Sequence, residues 1–137
     1  MSCNESSFDA FLNSSDTLWI WKERTVIFRS AEKGIAPLID YLKGQEEPLP
    51  AVAVFDRIVG NAAALLLDKA RCTELYAPIG SDLAAETLKT RGIHYTFSRL
   101  VPFIINRNGD GMCPFEQASL KRSSDEFFTY ALNALAD

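Results

Sequence analysis

The chain has little that would bind a structural metal or build a disulfide framework. Its 137 residues include three cysteines and one histidine. Cys3, Cys72 and Cys113 are odd in number, far apart and never form a Cys-x-x-Cys pair. That spacing argues against a zinc ribbon or a stapled secreted fold and fits a reducing cytoplasm. His94 has no second imidazole to join, and its place at a strand start reads as structural. Long apolar runs are missing as well. Nothing approaches the roughly 18 residues a membrane span needs, so no membrane association is expected. The opening MSCNESSFDAFL lacks the basic and apolar regions of a secretory signal. A basic excess is absent too: 14 Lys and Arg against 18 Asp and Glu leave a net charge of −4. A general nucleic-acid binder carries the opposite sign, so no nucleic-acid partner is expected.

What is present suits one soluble domain of ordinary composition, long enough to bury a core without metal or disulfides. There is no internal repeat and no low-complexity segment. Ser6 and Ser7 before FDAFL predict a short helix over about residues 7–14. TLWIWK and TVIFRS are rich in β-branched and aromatic residues and read as a hairpin turning at Glu23-Arg24. Ile35, Leu38, Ile39 and Leu42 recur at helical spacing, with Pro37 in the first turn and Gly44 at the stop. AVAVF, residues 51–55, is a continuous apolar run, as in a strand covered on both faces. Asp56 is placed to cap a helix through IVGNAAALLLDKA.

TELYAP and HYTF then read as further strands, VPFII (101–105) as another, and DLAAETLKT as a helix opened by Ser81 and Asp82. Pro114 to about Arg122 and Asp125 to about Ala136 close the chain as helices. This order predicts an α/β fold: a three-layer α/β/α sandwich on a mixed sheet, with an N-terminal antiparallel hairpin followed by parallel strands.

The segments AVAVFDRIVGNAAALLLDKARCTELYAPIGSDLAAETLKTRGIHY and LVPFIINRNGDGMCPFEQA carry a resemblance. Together they resemble a small bacterial family of unknown function with a cytidine deaminase-like fold. The resemblance covers about residues 51–118. Its distinctive part is the VxD[KR]xxGxAAA string combined with the later INRxGxGMCPxE string. Deaminases of that fold hold Zn²⁺ with His-x-Glu at one helix start and Pro-Cys-x-x-Cys at the next, the Glu moving protons. Aligned by element order, those positions fall near Gly34 and Ala36, and near Arg57 and Gly60. None of the four can ligate zinc or shuttle a proton, so the resemblance implies the fold without zinc-dependent deamination, and no cofactor. The family pattern carries Lys at the positions of Arg57 and Asn61. Arg57 keeps that charge and Asn61 loses it.

Three functional classes stay open. In the first, the domain binds a small anionic ligand, nucleotide-like or phosphorylated. Arg57 in a helix first turn opposes the helix dipole unless an anion sits there. Asp56, Gly60, Asn61 and Lys33 would surround it, and Asn106 and Asn108 in the NRNGDGMCPFEQ loop would line or close the pocket. The small-residue face of Gly60 and Ala62 to Ala64 is read as helix packing on the sheet. In the second class, Cys113 is a reactive thiol of an enzyme or sulfur carrier. Pro114 at the helix start places Cys113 at the N-cap and Glu116 at the third position, a capping box with sulfur in the Ser position. Glu116 opposes thiolate formation, and only His94 could act as a base. In the third class, the aromatic hairpin of Trp19, Trp21 and Phe28 forms an edge for a homodimer. A calcium loop is not expected. Asn106, Asn108, Asp110 and Gly111 match its first positions, but Gln117 stands where a bidentate Glu belongs.

Overall fold

The apolar alternation of residues 17–30 resolves into a hairpin, β1 (Leu18–Lys22) and β2 (Thr25–Ser30). Glu23 takes a positive φ of 55° in the two-residue turn, which lets the strands pair without a glycine. A computed structural model describes residues 5–136 of the chain. Before the hairpin lies α1 (Glu5–Leu12); after it come α2 (Ala36–Lys43), β3 (Val52–Asp56), β4 (Ile58–Val59) and α3 (Asn61–Lys69). The rest is β5 (Cys72–Ser81), α4 (Asp82–Thr90), β6 (His94–Val101), α5 (Pro114–Ser119) and α6 (Ser124–Leu135).

These strands form one six-stranded mixed sheet. β1 pairs antiparallel with β2 on one side and with β3 on the other. β3 runs parallel to residues 72–76 of β5, and β4 pairs parallel with Ile79 and Gly80. β6 pairs parallel with β5 from Glu74 to Ser81. Because β6 meets stretches of β5 that β3 and β4 also meet, it occupies the opposite edge of β5. The sheet thus reads β2, β1, then β3 continued by β4, then β5, then β6. The α/β class and the hairpin-then-parallel order match the sequence reading.

Strand alternation separates two apolar clusters. Leu18, Ile20, Val52, Val54 and Leu75 face the larger one, with side chains from α2, α3, α4 and α6. Trp19, Ala53 and Phe55 face the other way, against Phe8, Phe11 and Leu12 of α1. Phe115 and Ala118 of α5 pack against the same cluster, so five helices cover one face, and α1 makes a thin layer on the other. The three alanines 62–64 are buried in the main core, in keeping with close packing of α3 on the sheet.

Several sequence expectations need correction. Asp56 does not cap α3. That helix begins at Asn61 with Gly60 as its N-cap, and residues 57–60 form a break and a short strand instead. Arg57 is consequently in no helical turn. The HYTF segment extends to Val101, and the expected separate strand at 101–105 is absent. Pro102 and Phe103 bend there, and only Ile105 forms an isolated bridge, to Met112. β2 is an edge strand of the sheet, while the hairpin aromatics themselves pack inward. Trp19 is buried in the α1 cluster, Trp21 packs against it, and Phe28 meets the Tyr41 ring. Cys72 lies in the core as expected, whereas Cys3 falls outside the described residues.

Candidate functional site

The polar centre of the molecule is built around Glu116, which the sequence presented only as a helix-capping residue. Its side chain is 1% exposed. Pro114 starts a six-residue helix whose third residue is Glu116, and that turn directs the side chain inward rather than back to its own N-cap. Cys113 makes no side-chain cap bond, so the expected capping box is not formed. Instead, the amide N–H of Asn61 donates to Glu116 Oε1, and that of Ile104 donates to Oε2 at 2.6 Å. Ser81 Oγ donates to Oε1 at 3.3 Å while accepting from Ala84 N at 3.0 Å. Ser81 is thus the N-cap of α4, and Asn61 is the first residue of α3. One carboxylate draws together two helix starts and the strand-exit loop. An anion is favoured there because helix-start amides lack intrahelical acceptors.

A second ring of contacts holds this cradle. Asn61 Nδ2 donates to Ser119 Oγ at 2.9 Å, and Ser119 Oγ donates to the Glu116 carbonyl at 2.6 Å. Thr87 Oγ1 donates to Asn61 Oδ1, tying in α4. The side chains of Glu116, Asn61, Ser81 and Ser119 are therefore all partnered, which is the condition for a polar cluster to stabilise rather than cost free energy. Gly60 is part of the same fit, since its bare α-carbon lies against Glu116 and Ile104.

Asp56 and Arg57 diverge at the end of β3. By strand alternation Asp56 shares the face of Val52 and Val54. It is nearly buried and accepts from Arg57 N at 2.7 Å. Burial pushes its carboxyl up to about 7, against the lowering effect of the Arg57 and Ile58 amides and the Arg57 charge. Arg57 goes to the α1 side. Its Nε donates to the Asp16 carbonyl at 3.0 Å and Nη1 to that of Leu12 at 3.3 Å. Nη2 is shared among the carbonyls of Phe11, Ser14 and Asp16 at 2.8–3.0 Å. The guanidinium also stacks 4.6 Å from the Phe11 ring centre. Its positive charge faces carbonyl dipoles at the end of α1.

The other sequence-predicted residues are scattered. Asn106 stays within its own loop: its Oδ1 accepts from Gly109 N at 2.8 Å and its Nδ2 donates to Asp110 Oδ1 at 2.9 Å. Asn108 is exposed at the tip of that loop, and Lys33 is exposed before α2. Cys113 is half-buried, with its amide donating to the Ile104 carbonyl at 2.7 Å. Among the described residues, no group of three or more His, Cys, Asp or Glu side chains could hold a metal ion. No helix among them is long and apolar enough to cross a membrane. Sequence reasoning singled out Gly60 and Asn61 at one end of the cradle and missed Glu116 and Ser81 as their partners. The available signal is the Glu two residues after Pro114, whose spacing equally suits a local cap.

A family model described as TM1506, domain of unknown function (DUF1893), matches residues 8–134. The chain is similar to the crystal structure of a DUF1893 family protein (TM1506) from Thermotoga maritima. The TM-score is 0.85 at 25% identity, over 98% of this chain and 93% of that one. No curated protein matches the chain.

Proposed function

Since the chain belongs to the DUF1893 family, a family of unknown function, we propose from its own geometry that it is a deaminase-like, zinc-free domain that binds a small anionic ligand. The ligand is nucleotide-like or phosphorylated, and its anionic group takes the cradle now filled by Glu116. One observation carries this reading. The amides of Asn61 and Ile104 and the hydroxyl of Ser81 all aim at a single carboxylate. They come from three different elements, at the carboxyl-terminal end of parallel strands, where open α/β sheets take their ligands.

Glu116 arrives on a six-residue helix behind the 102–113 loop, and not from the sheet or a long helix. A ligand anion would compete with it, and displacement would open that loop. The anion contact expected of Arg57 passes in this reading to the backbone amides and Ser81, because the guanidinium is already engaged with α1. Asp56 is a separate titrating group on the helix-covered face.

Thermal-shift titration with nucleoside phosphates and sugar phosphates tests the reading. Glu116→Gln, which removes the competing charge, should respond at lower ligand concentration than the wild type. Ser81→Ala should respond less. If every compound leaves all three proteins unmoved, the cradle is an internal latch and binds no ligand.

A further inference from the structure

β6 leaves one side of the sheet open. Its eight residues pair with β5 along one edge, and among the described residues no strand pairs with the other. In a parallel ladder, alternate residues direct N–H and C=O to opposite sides. Every second residue of β6 therefore offers an unused donor and acceptor outward. The hairpin edge at β2 is six residues long and lies at the far side of the sheet.

Charge distinguishes the β6 edge from the rest of the protein. The whole chain carries −4, yet the stretch from Thr87 to Gly109 contains Lys89, Arg91, Arg99, Arg107 and His94 and no Asp or Glu. Arg91 is paired with Asp68 at 2.8 Å. Arg99 is exposed on the strand itself, and Lys89 and Arg107 are exposed on the elements just before and after it. Apolar surface accompanies the charge: Leu100 is 53% exposed and Ile105 60%.

We propose that the free edge of β6 is a docking strand for an extended acidic peptide segment of a partner protein. Added as a further strand, the segment satisfies the outward backbone groups of β6. Its carboxylates face Arg99 and the flanking cations, and its apolar side chains cover Leu100. A second copy of this chain is the poorer occupant, because β6 against β6 would bring two basic strips together. A single-stranded nucleic acid would use the charge but leave the strand's hydrogen-bonding edge unsatisfied.

The probes are two blocked octapeptides, alternating Glu-Val and alternating Lys-Val, added to the full chain. Hydrogen exchange is followed residue by residue. The Glu-Val peptide should bind and slow exchange at alternate amides of β6, with at least tenfold weaker binding to an Arg99→Glu, Arg107→Glu double variant. The Lys-Val peptide should not compete. Equal binding of both peptides would overturn the proposal, as would protection outside β6 or no protection at millimolar peptide. Concentration-dependent protection of β6 without peptide would overturn it in favour of a homodimer. Protection by oligo(dT) but not by Glu-Val would overturn it in favour of nucleic acid. Since β6 residues take no part in the Glu116 cradle, loss of one reading leaves the other standing.

Discussion

Gly60 and Glu116 approach so closely that no side chain fits between them. A Cβ on Gly60 would overlap Glu116 Oε1 and lie 2.8 Å from Ile104 Cγ1. The φ of Gly60 is −96°, open to any residue, so the requirement is for space and not for a left-handed backbone. Gly60→Ala should therefore destabilise the fold by about 1–3 kcal/mol, the usual cost of forcing atoms into a packed site. Gly92 makes a useful contrast, with φ +74° and nothing near its missing Cβ. Gly92→Ala should cost about 1 kcal/mol, through backbone strain alone. Urea unfolding of both variants separates the two causes. Adding Glu116→Ala should relieve Gly60→Ala and leave Gly92→Ala unchanged.

Removing the carboxylate alone strands its donors. Glu116→Ala leaves the Asn61 and Ile104 amides without an acceptor, at a cost of about 2–3 kcal/mol. Acetate or phosphate should restore part of that melting temperature in the variant and have little effect on the wild type. Equal responses in the two proteins would show that the cradle has no affinity for a free anion.

Arg57 makes a different prediction. It joins the end of α1 to the end of β3 through four carbonyls. Arg57→Ala should destabilise by about 2–4 kcal/mol, since hydrogen bonds to charged groups are worth more than neutral ones. Hydrogen exchange should speed up first at residues 8–17. Arg57→Lys should recover little, because an ammonium cannot reproduce the planar fork.

Asp56 should make stability depend on pH with a definite sign. Its folded carboxyl is raised from 3.8 to about 7, so between those values the folded state binds the extra proton. Stability should fall as pH rises from about 4 through 7, and level off above. The total should be on the order of a few kcal/mol, since each pKa unit corresponds to about 1.4 kcal/mol. Asp56→Asn should flatten that slope and be the more stable protein at pH 8. A wild-type curve that rises over this range would contradict the assignment.

Cys113 can be separated from Cys72 by labelling. Cys72 is in the core and Cys113 is half-buried, so in a Cys3→Ser background one thiol should react before unfolding. A Cys113 rate above that of an unfolded control peptide would support the reactive-thiol reading. A rate no greater would leave Cys113 as a turn residue.

Much of the secondary structure was legible because local chemistry and tertiary packing agree. The hairpin, α2 with its Pro37 start, α4 with its Ser81 cap and the apolar β3 all follow the periodicities of the sequence. The failures share a cause. Asp56 looked like a cap because caps are judged from neighbours in sequence, while the first amide of α3, that of Asn61, is satisfied by Glu116, 55 residues on. VPFII looked like a strand because its composition is β-rich, yet Pro102 has no N–H for a ladder.

The sequence by itself determined the α/β class, most of the element order and the lack of a zinc-ligand pattern, because those rest on residue type, period and spacing. Tertiary structure decided which charges have partners. Arg57 read as an open cation and is closed on four carbonyls, whereas Glu116 read as a local cap and holds two helix starts together. A buried charge is set by groups distant in sequence, and only folding shows which of them meet.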